Sequence, residues 1–341
     1  MTRTVLGREA GTWFTRRIDI MIAFGPVPSR RLGRSLGINN IPPKVCTYSC
    51  VYCQLGRTIK MQADRQSFYE PAEILRDVRD KVERATASGE TIDYLTFVPD
   101  GEPTLDLNLG REIDLLKPMD IKVAVISNAS LISREQVRRE LGKADWVSLK
   151  MDAVEEDTWR EINRPHRALR LERILDAALE FASAFRGELA TETMLVEGIN
   201  DSTDHLGKVA DFVSRLEPSG AYVAIPTRPP AEHWVHPPPE ESINRAYQIL
   251  SETIPHVEYL IGYEGNEFAL TGDVEEDLLS ITAVHPMRAD AVDQFLARAG
   301  VGWGMIDHLL DQNQLVETDY GEHHFYMRKL RALSQDRIEG D

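Results

Sequence analysis

From residue 70 onward, two spacings of apolar residues take turns along the chain. "EPAEILRDVRDKVERA" (Glu70–Ala85) has apolar positions at helical spacing with Pro71 near its start. "DYLTFV" (Asp93–Val98) is a short apolar run suited to a buried strand. The rhythm continues with a helix near Asn108–Lys117, a strand at Ile121–Ser127, a helix at Ser133–Leu141 and a strand at Trp146–Asp152. A long helix at Leu171–Phe185, a strand at Glu188–Val196, a helix at Asp204–Leu216 and a strand at Ala221–Thr227 follow. These strands are too apolar to face water and most precede a helix, which predicts a parallel sheet covered by helices in an α/β fold. A partial or full βα barrel fits best, and a doubly wound open sheet is the fallback, although no GxGxxG follows the first strand to support it. In a barrel, chemistry gathers at the C-terminal ends of the strands.

The tail has a different rhythm. From about Asp273 come three short helical patterns (Glu276–Ala283, Ala289–Ala299, Gly304–Asp311), then two alternating runs around Gly321. Three helices followed by a hairpin is the order of a winged helix-turn-helix. The predicted organisation is an N-terminal extension over 1–20, a barrel domain over 21–270, a winged-helix-like domain over 273–332 and a tail over 333–341, with Met21 a candidate alternative start. Gly304–Asp311 holds Asp307 and Asp311 and no Lys or Arg, which favours docking or dimerisation over nucleic-acid reading. Arg328, Lys329 and Arg331 keep a nucleic-acid edge open, and His323 and His324 are expected to face solvent.

Composition narrows the setting. No run of the 341 residues reaches transmembrane length, and the first residues lack a secretory apolar core, so a cytoplasmic protein without membrane contact is expected. The net charge of −16 argues against a general nucleic-acid coat. The charge is uneven: residues 1–65 carry eleven Lys/Arg against Glu9, Asp19 and Asp64, a balance of +8 that leaves −24 for the rest. Arg30, Arg31 and Arg34 lie in "FGPVPSRRLGRSLG" (Phe24–Gly37), which reads as a loop, either a solvated surface or an anion site for a phosphate or carboxylate.

All three cysteines, Cys46, Cys50 and Cys53, fall in "KVCTYSCVYCQLGR", spaced C-x3-C-x2-C. An odd number in a reducing compartment points to metal rather than disulfides. A structural zinc wants four donors, and the first histidine is His166. An iron–sulfur cubane held by three thiolates leaves one iron open. With Tyr52 before the last cysteine, the segment resembles the signature of the radical S-adenosylmethionine (radical SAM) superfamily. That resemblance implies a [4Fe–4S] cluster on the three cysteines whose open iron chelates SAM. It also implies an electron donor such as flavodoxin or ferredoxin, and reductive cleavage to a 5′-deoxyadenosyl radical that abstracts a substrate hydrogen.

Two later segments carry the same resemblance. "DGEPTL" (Asp100–Leu105) is similar to the family's Gly-Glu-Pro motif, which implies that Gly101, Glu102 and Pro103 receive the SAM amino group. "ISNAS" (Ile126–Ser130) is similar to the segment touching the SAM carboxylate and ribose, which implies roles for Ser127 and Asn128. The strand period puts Lys150 and Asp152 on one side of their strand. Asp152 is a candidate ribose contact, and Lys150 a candidate anion holder or Schiff-base amine, against the alternative of an internal ion pair. Asn200, Thr227, Arg228, His233 and His236 follow strands and are substrate-pocket candidates. The superfamily resemblance covers about Phe24 to Tyr263, and within it "GPVPSRRLGRSLGIN", "CTYSCVYCQLG", "DGEPTL" and "PTRPP" together resemble the tRNA wyosine-forming branch, whose second cluster needs three more cysteines; this chain has none to supply. The expectation is thus an iron–sulfur oxidoreductase acting on an unidentified, anionic or RNA substrate. The competing reading is a metal- or redox-responsive regulator that binds nucleic acid through the winged helix.

Overall fold

The computed structural model describes residues 22–261 and 268–329. The extension over 1–20, the candidate start Met21, Tyr263, Arg331 and the tail over 333–341 lie outside the described residues. β1 (Ala23–Ser29) and β2 (Gly33–Ile38) form an antiparallel hairpin. This corrects the reading of Phe24–Gly37 as a loop. Pro26 and Pro28 hide the strand in the sequence, and they are tolerated because β1 is an edge strand whose missing N–H groups leave no ladder bond broken. Gly33 turns the corner with φ +61°, and a Cβ there would come 2.3 Å from an Asp93 carboxylate oxygen.

The cysteine segment follows β2 and contains two short paired strands, β3 (Val45–Cys46) and β4 (Lys60–Met61). Then come α1 (Pro71–Ala87), β5 (Tyr94–Phe97), α2 (Leu109–Leu116), β6 (Lys122–Ser127), α3 (Glu135–Leu141) and β7 (Trp146–Lys150). Next are α4 (Glu156–Asn163), α5 (Leu171–Ala184), β8 (Glu188–Met194), α6 (Thr203–Leu216), β9 (Gly220–Ala224), α7 (Glu240–Ser251) and β10 (Val257–Leu260). The sequence reading lacked α4, α7 and β10. β2 and β5 to β10 run parallel in the order β1-β2-β5-β6-β7-β8-β9-β10, giving a curled half-barrel rather than an open doubly wound sheet. The Arg30 guanidinium at the hairpin tip donates to the Tyr259 carbonyl on β10 at 3.3 Å, drawing the two edges together. No helix among the described residues is long and apolar enough to cross a membrane.

The two-residue period sorts each strand into two faces. Leu36, Leu95, Val123, Val147, Leu189 and Val223 point outward into the main core under the helices. Ala124, Trp146 and Ala190 point into the barrel at the strands' N-terminal ends, where Leu32 from the hairpin tip joins them. The hairpin thus forms the floor of the barrel, with the loops after the strands at the opposite end.

The C-terminal unit contains α8 (Val274–Val284), β11 (Met287–Arg288), α9 (Ala289–Ala299), α10 (Gly304–Asp311), β12 (Leu315–Tyr320) and β13 (His323–Arg328). β11 pairs with β13, which pairs with β12. The sequence reading had the helices and the hairpin but not β11. Phe268, Phe295, Ile306 and Leu309 centre a separate core. A buried ion pair joins this unit to the barrel: Lys81 on α1 donates to Asp277 on α8 at 2.7 Å, with both side chains 2% exposed.

Candidate active site

Three loops from the C-terminal ends of β2, β5 and β6 are tied together. The Lys44 N–H donates to the Asp100 carbonyl at 2.8 Å, and the Glu102 N–H to the Val45 carbonyl at 3.4 Å. Gly101 is squeezed between them: a Cβ there would lie 1.9 Å from the Val45 oxygen, so no side chain fits. The buried Glu102 carboxylate accepts from the Thr104 hydroxyl at 2.6 Å, the Ser127 hydroxyl at 2.8 Å and the Asn128 N–H at 2.8 Å. Burial pushes its proton affinity up, and these donors work against that rise. Pro103 opens a buried 3-10 turn, Pro103–Leu105, behind the carboxylate.

The cysteine loop rests on the end of α4. The Val51 N–H donates to the Ile162 carbonyl at 2.9 Å, and the His166 N–H to the Thr47 carbonyl at 2.8 Å. Two side-chain amides aim at sulfur: Asn128 Nδ2 is 3.6 Å from Cys46 Sγ, and Asn163 Nδ2 is 3.4 Å from Cys50 Sγ. Asn163 was absent from the sequence reading, because nothing in a helix-terminal Asn marks it as facing a thiol 113 residues away.

Cys46, Cys50, Cys53, Glu102, Ser127 and Asn128 all line one cavity of about 370 Å³. Burial pushes all three thiols up, Cys50 to about 12, and the thiols disfavour one another's ionisation. Lys44 and Lys150 ease the ionisation of Cys53. Sulfur donors in such a place become thiolates when a cationic centre replaces their protons. Among the described residues, no three Cys, His, Asp or Glu side chains stand close enough together to share one metal ion. Three thiols around a cavity fit a polynuclear iron–sulfur centre with one iron per thiolate, and not a tetrahedral zinc.

Arg31 from the hairpin tip and Lys150 from the C-terminal end of β7 reach into the same cavity, and both pair with Glu192 on β8, Lys150 at 2.8 Å. Burial alone would raise the Glu192 carboxyl, but the two cations outweigh it and hold it at about 2. Burial alone would likewise lower Lys150, yet Glu192 and Asp152 keep its ammonium well above the usual lysine range. Its ion-pair partner is Glu192, and the Asp152 charge adds to the preference for the ammonium. Glu192 was missed, although a carboxylate in the middle of the apolar "ELATETMLV" was a visible signal.

The remaining candidates separate. Tyr52 is buried under the Lys150 ammonium, 4.7 Å from ring centre to Nζ, and its hydroxyl donates to Asp152. Asp152 lies behind Tyr52, outside the main cavity, where Asn163 Nδ2 and the Met194 N–H donate to it at 2.8 and 2.9 Å. Asn200 is also outside the cavity: its side chain ties the Val196 N–H to the Asp152 and Met194 carbonyls. His233 and His236 are exposed. Arg34 pairs with Glu90 at the floor end, so the three arginines form no single anion site. Thr227 and Arg228 line the cavity, and Arg228 Nη2 lies 2.9 Å from His285 Nε2. His285 follows α8, so the C-terminal unit supplies part of the wall; burial and Arg228 hold its imidazole well below the ordinary histidine value. The Tyr320 hydroxyl on β12 donates to the Pro226 carbonyl at 3.2 Å, fixing the same loop.

Comparison with known proteins settles the family. The pattern of the radical SAM superfamily matches residues 40–213, more than half of the chain. The chain belongs to the radical SAM superfamily. A UPF0026 protein of Methanocaldococcus jannaschii is 44% identical over 317 residues, covering 92% of this radical SAM chain and 98% of the relative. The uncovered 8% is shorter than the C-terminal unit, so the archaeal relative shares at least part of that unit. A UPF0026 protein of Synechocystis is 38% identical over 208 residues, covering 60% of this chain and 76% of its own. Among solved structures, a radical SAM methyltransferase from Sphaerobacter thermophilus superposes with a TM-score of 0.52 over 66% of each chain at 20% identity, which supports the barrel fold. The protein is thus a radical SAM enzyme.

Proposed function

We propose that this enzyme binds a single [4Fe–4S] cluster through Cys46, Cys50 and Cys53 and cleaves SAM reductively to initiate hydrogen abstraction from a substrate in the barrel. One observation carries the reading: the three thiols and the Glu102–Ser127–Asn128 network face the same cavity at the strands' C-terminal ends. When bound, the cluster would supply the electron that splits the sulfonium and so releases the 5′-deoxyadenosyl radical. The protein's own work is to hold and enclose. Glu102, fixed by Ser127 and Thr104, offers a carboxylate to the SAM ammonium, a charge-assisted contact. Asn128 links that carboxylate to the Cys46 sulfur, so the SAM end and the cluster end of the site move together.

The winged-helix-like unit is assigned a docking role, closing the cavity wall through His285 and the Tyr320–Pro226 contact. Its α10 has Asp307 and Asp311 and neither Lys nor Arg, which disfavours nucleic-acid reading through this helix. Wyosine-type chemistry is not assigned, since all three cysteines are used by one cluster. A flavodoxin or ferredoxin is the electron donor of this reading.

The test is anaerobic reconstitution followed by iron and sulfide analysis and measurement of 5′-deoxyadenosine under dithionite. About four irons per chain and SAM cleavage are expected. Cys46→Ala, Cys50→Ala and Cys53→Ala should lose the iron, whereas Glu102→Gln should keep it and lose cleavage. A full cluster that never cleaves SAM would overturn the proposal.

A further inference from the structure

We infer that the Arg31–Glu192–Lys150 corner of the barrel cavity, above its floor, binds the carboxylate or phosphate of the substrate. The inference rests on the proposed function only in taking the cavity as the substrate's place. Its basis is an unfilled donor edge in a nearly closed space. Arg31, Lys150 and Glu192 have side chains 13%, 18% and 10% exposed, and two cations share one carboxylate. The Asp152 charge also favours the Lys150 ammonium, so the charges balance; what stays open is a guanidinium donor where water is scarce, and a buried donor is stable only when paired.

The hydrogen-bond geometry shows which atoms would meet the anion. Arg31 reaches Glu192 through Nη1, while its buried Nε has no acceptor among the described residues. The Nε edge of a guanidinium is the edge that grips carboxylate and phosphate oxygens in pairs. The Tyr222 ring lies 5.9 Å from the Arg31 guanidinium carbon and helps hold it. The Ser35 and Thr96 hydroxyls, 2.7 Å apart, line the same cavity and add donors. Leu32, Trp146 and Ala190 close the floor beneath, so a compact acidic head enters from above and stops there. The rest of the substrate then points up towards the cysteine loop. This assigns "SRRLG" a function that its three arginines as a group do not have: only Arg31 enters the barrel.

The test uses the full chain reconstituted under argon, with propionate and inorganic phosphate as probes, followed by calorimetry and by the rise in melting temperature. Arg31→Gln and Lys150→Gln should each weaken the better-bound probe by roughly tenfold. Glu192→Gln should tighten it, because it removes the carboxylate that competes with the probe for Arg31 and Lys150. Stronger binding of propionate identifies a carboxylate substrate, and stronger binding of phosphate a phosphorylated one. If Arg31→Gln does not fold, the Lys150→Gln and Glu192→Gln pair still decides by their opposite signs. Binding of both anions unchanged in the lysine variant, weaker binding in Glu192→Gln, or displacement of either probe by SAM would overturn the inference. Uncoupled 5′-deoxyadenosine formation, measured on the same preparations, reads the proposed function separately: normal cleavage with no anion effect sinks only this inference.

Discussion

Lys81→Met isolates the contact that fastens the C-terminal unit to the barrel. Methionine keeps most of the lysine volume and removes the charge. Asp277 is then left as a carboxylate 2% exposed, with the Thr271 hydroxyl at 2.6 Å and the Thr271 N–H at 2.5 Å still donating to it. Breaking a buried pair on one side costs about 3–5 kcal/mol. The surviving Thr271 donors place this case near the lower figure, so about 3 kcal/mol, a loss of roughly 100-fold in the folding equilibrium, is expected. Asp277→Leu should cost more, since it leaves the buried ammonium uncompensated, held by the Thr271 hydroxyl at 3.0 Å in place of a carboxylate, and takes the Asp277 acceptor from the Thr271 N–H. The double variant should recover the ion-pair part but not the Thr271 part, about 1–3 kcal/mol. Urea denaturation of the four proteins gives the cycle, and the result should change little with salt because neither charge is exposed. A Lys81→Met variant within about 0.5 kcal/mol of wild type would refute the reasoning.

Gly101→Ala should drive the Val45 carbonyl away and displace Cys46 next to it, so the reconstituted iron content should fall while the circular dichroism of the barrel is retained. Asn163→Ala removes the amide directed at Cys50 and should make the cluster potential more negative by roughly 40 mV, read by redox titration, if that hydrogen bond is worth about 1 kcal/mol. Acid should weaken the protein through Glu192: its folded value of about 2 is below the ordinary 4.5, so its contribution is full above 4.5 and lost as pH falls towards 2. Glu192→Gln should therefore show a shallower fall in stability over that interval.

The parallel rhythm was legible because "DYLTFV", "IKVAVIS" and "WVSLKMD" bury both faces, which leaves few fates other than a covered sheet. The cysteine spacing was legible because it is local. The β1–β2 hairpin was hidden by its prolines and glycines, which signal turns everywhere except at a sheet edge. β10 escaped because "VEYL" is only four residues long and partly exposed. At the site, what the sequence could not show was long-range: Asn163 meeting Cys50, Glu192 gathering Arg31 and Lys150, and His285 arriving from the C-terminal unit. Each depends on strand direction and curl, which no local pattern records. Lys81 was half legible, since it shares the buried stripe of Ile74, Val78 and Ala85, but its partner lies 196 residues away.

The account's central claim is an iron–sulfur centre with three protein thiolates and one iron left for SAM. Electron–nuclear double resonance on the reduced, reconstituted protein with isotopically labelled SAM tests it most directly. Coupling of the SAM amino nitrogen and carboxylate to a single iron, lost in Glu102→Gln, is the predicted result. A centre whose irons all carry protein ligands, with no coupling to labelled SAM, would contradict it.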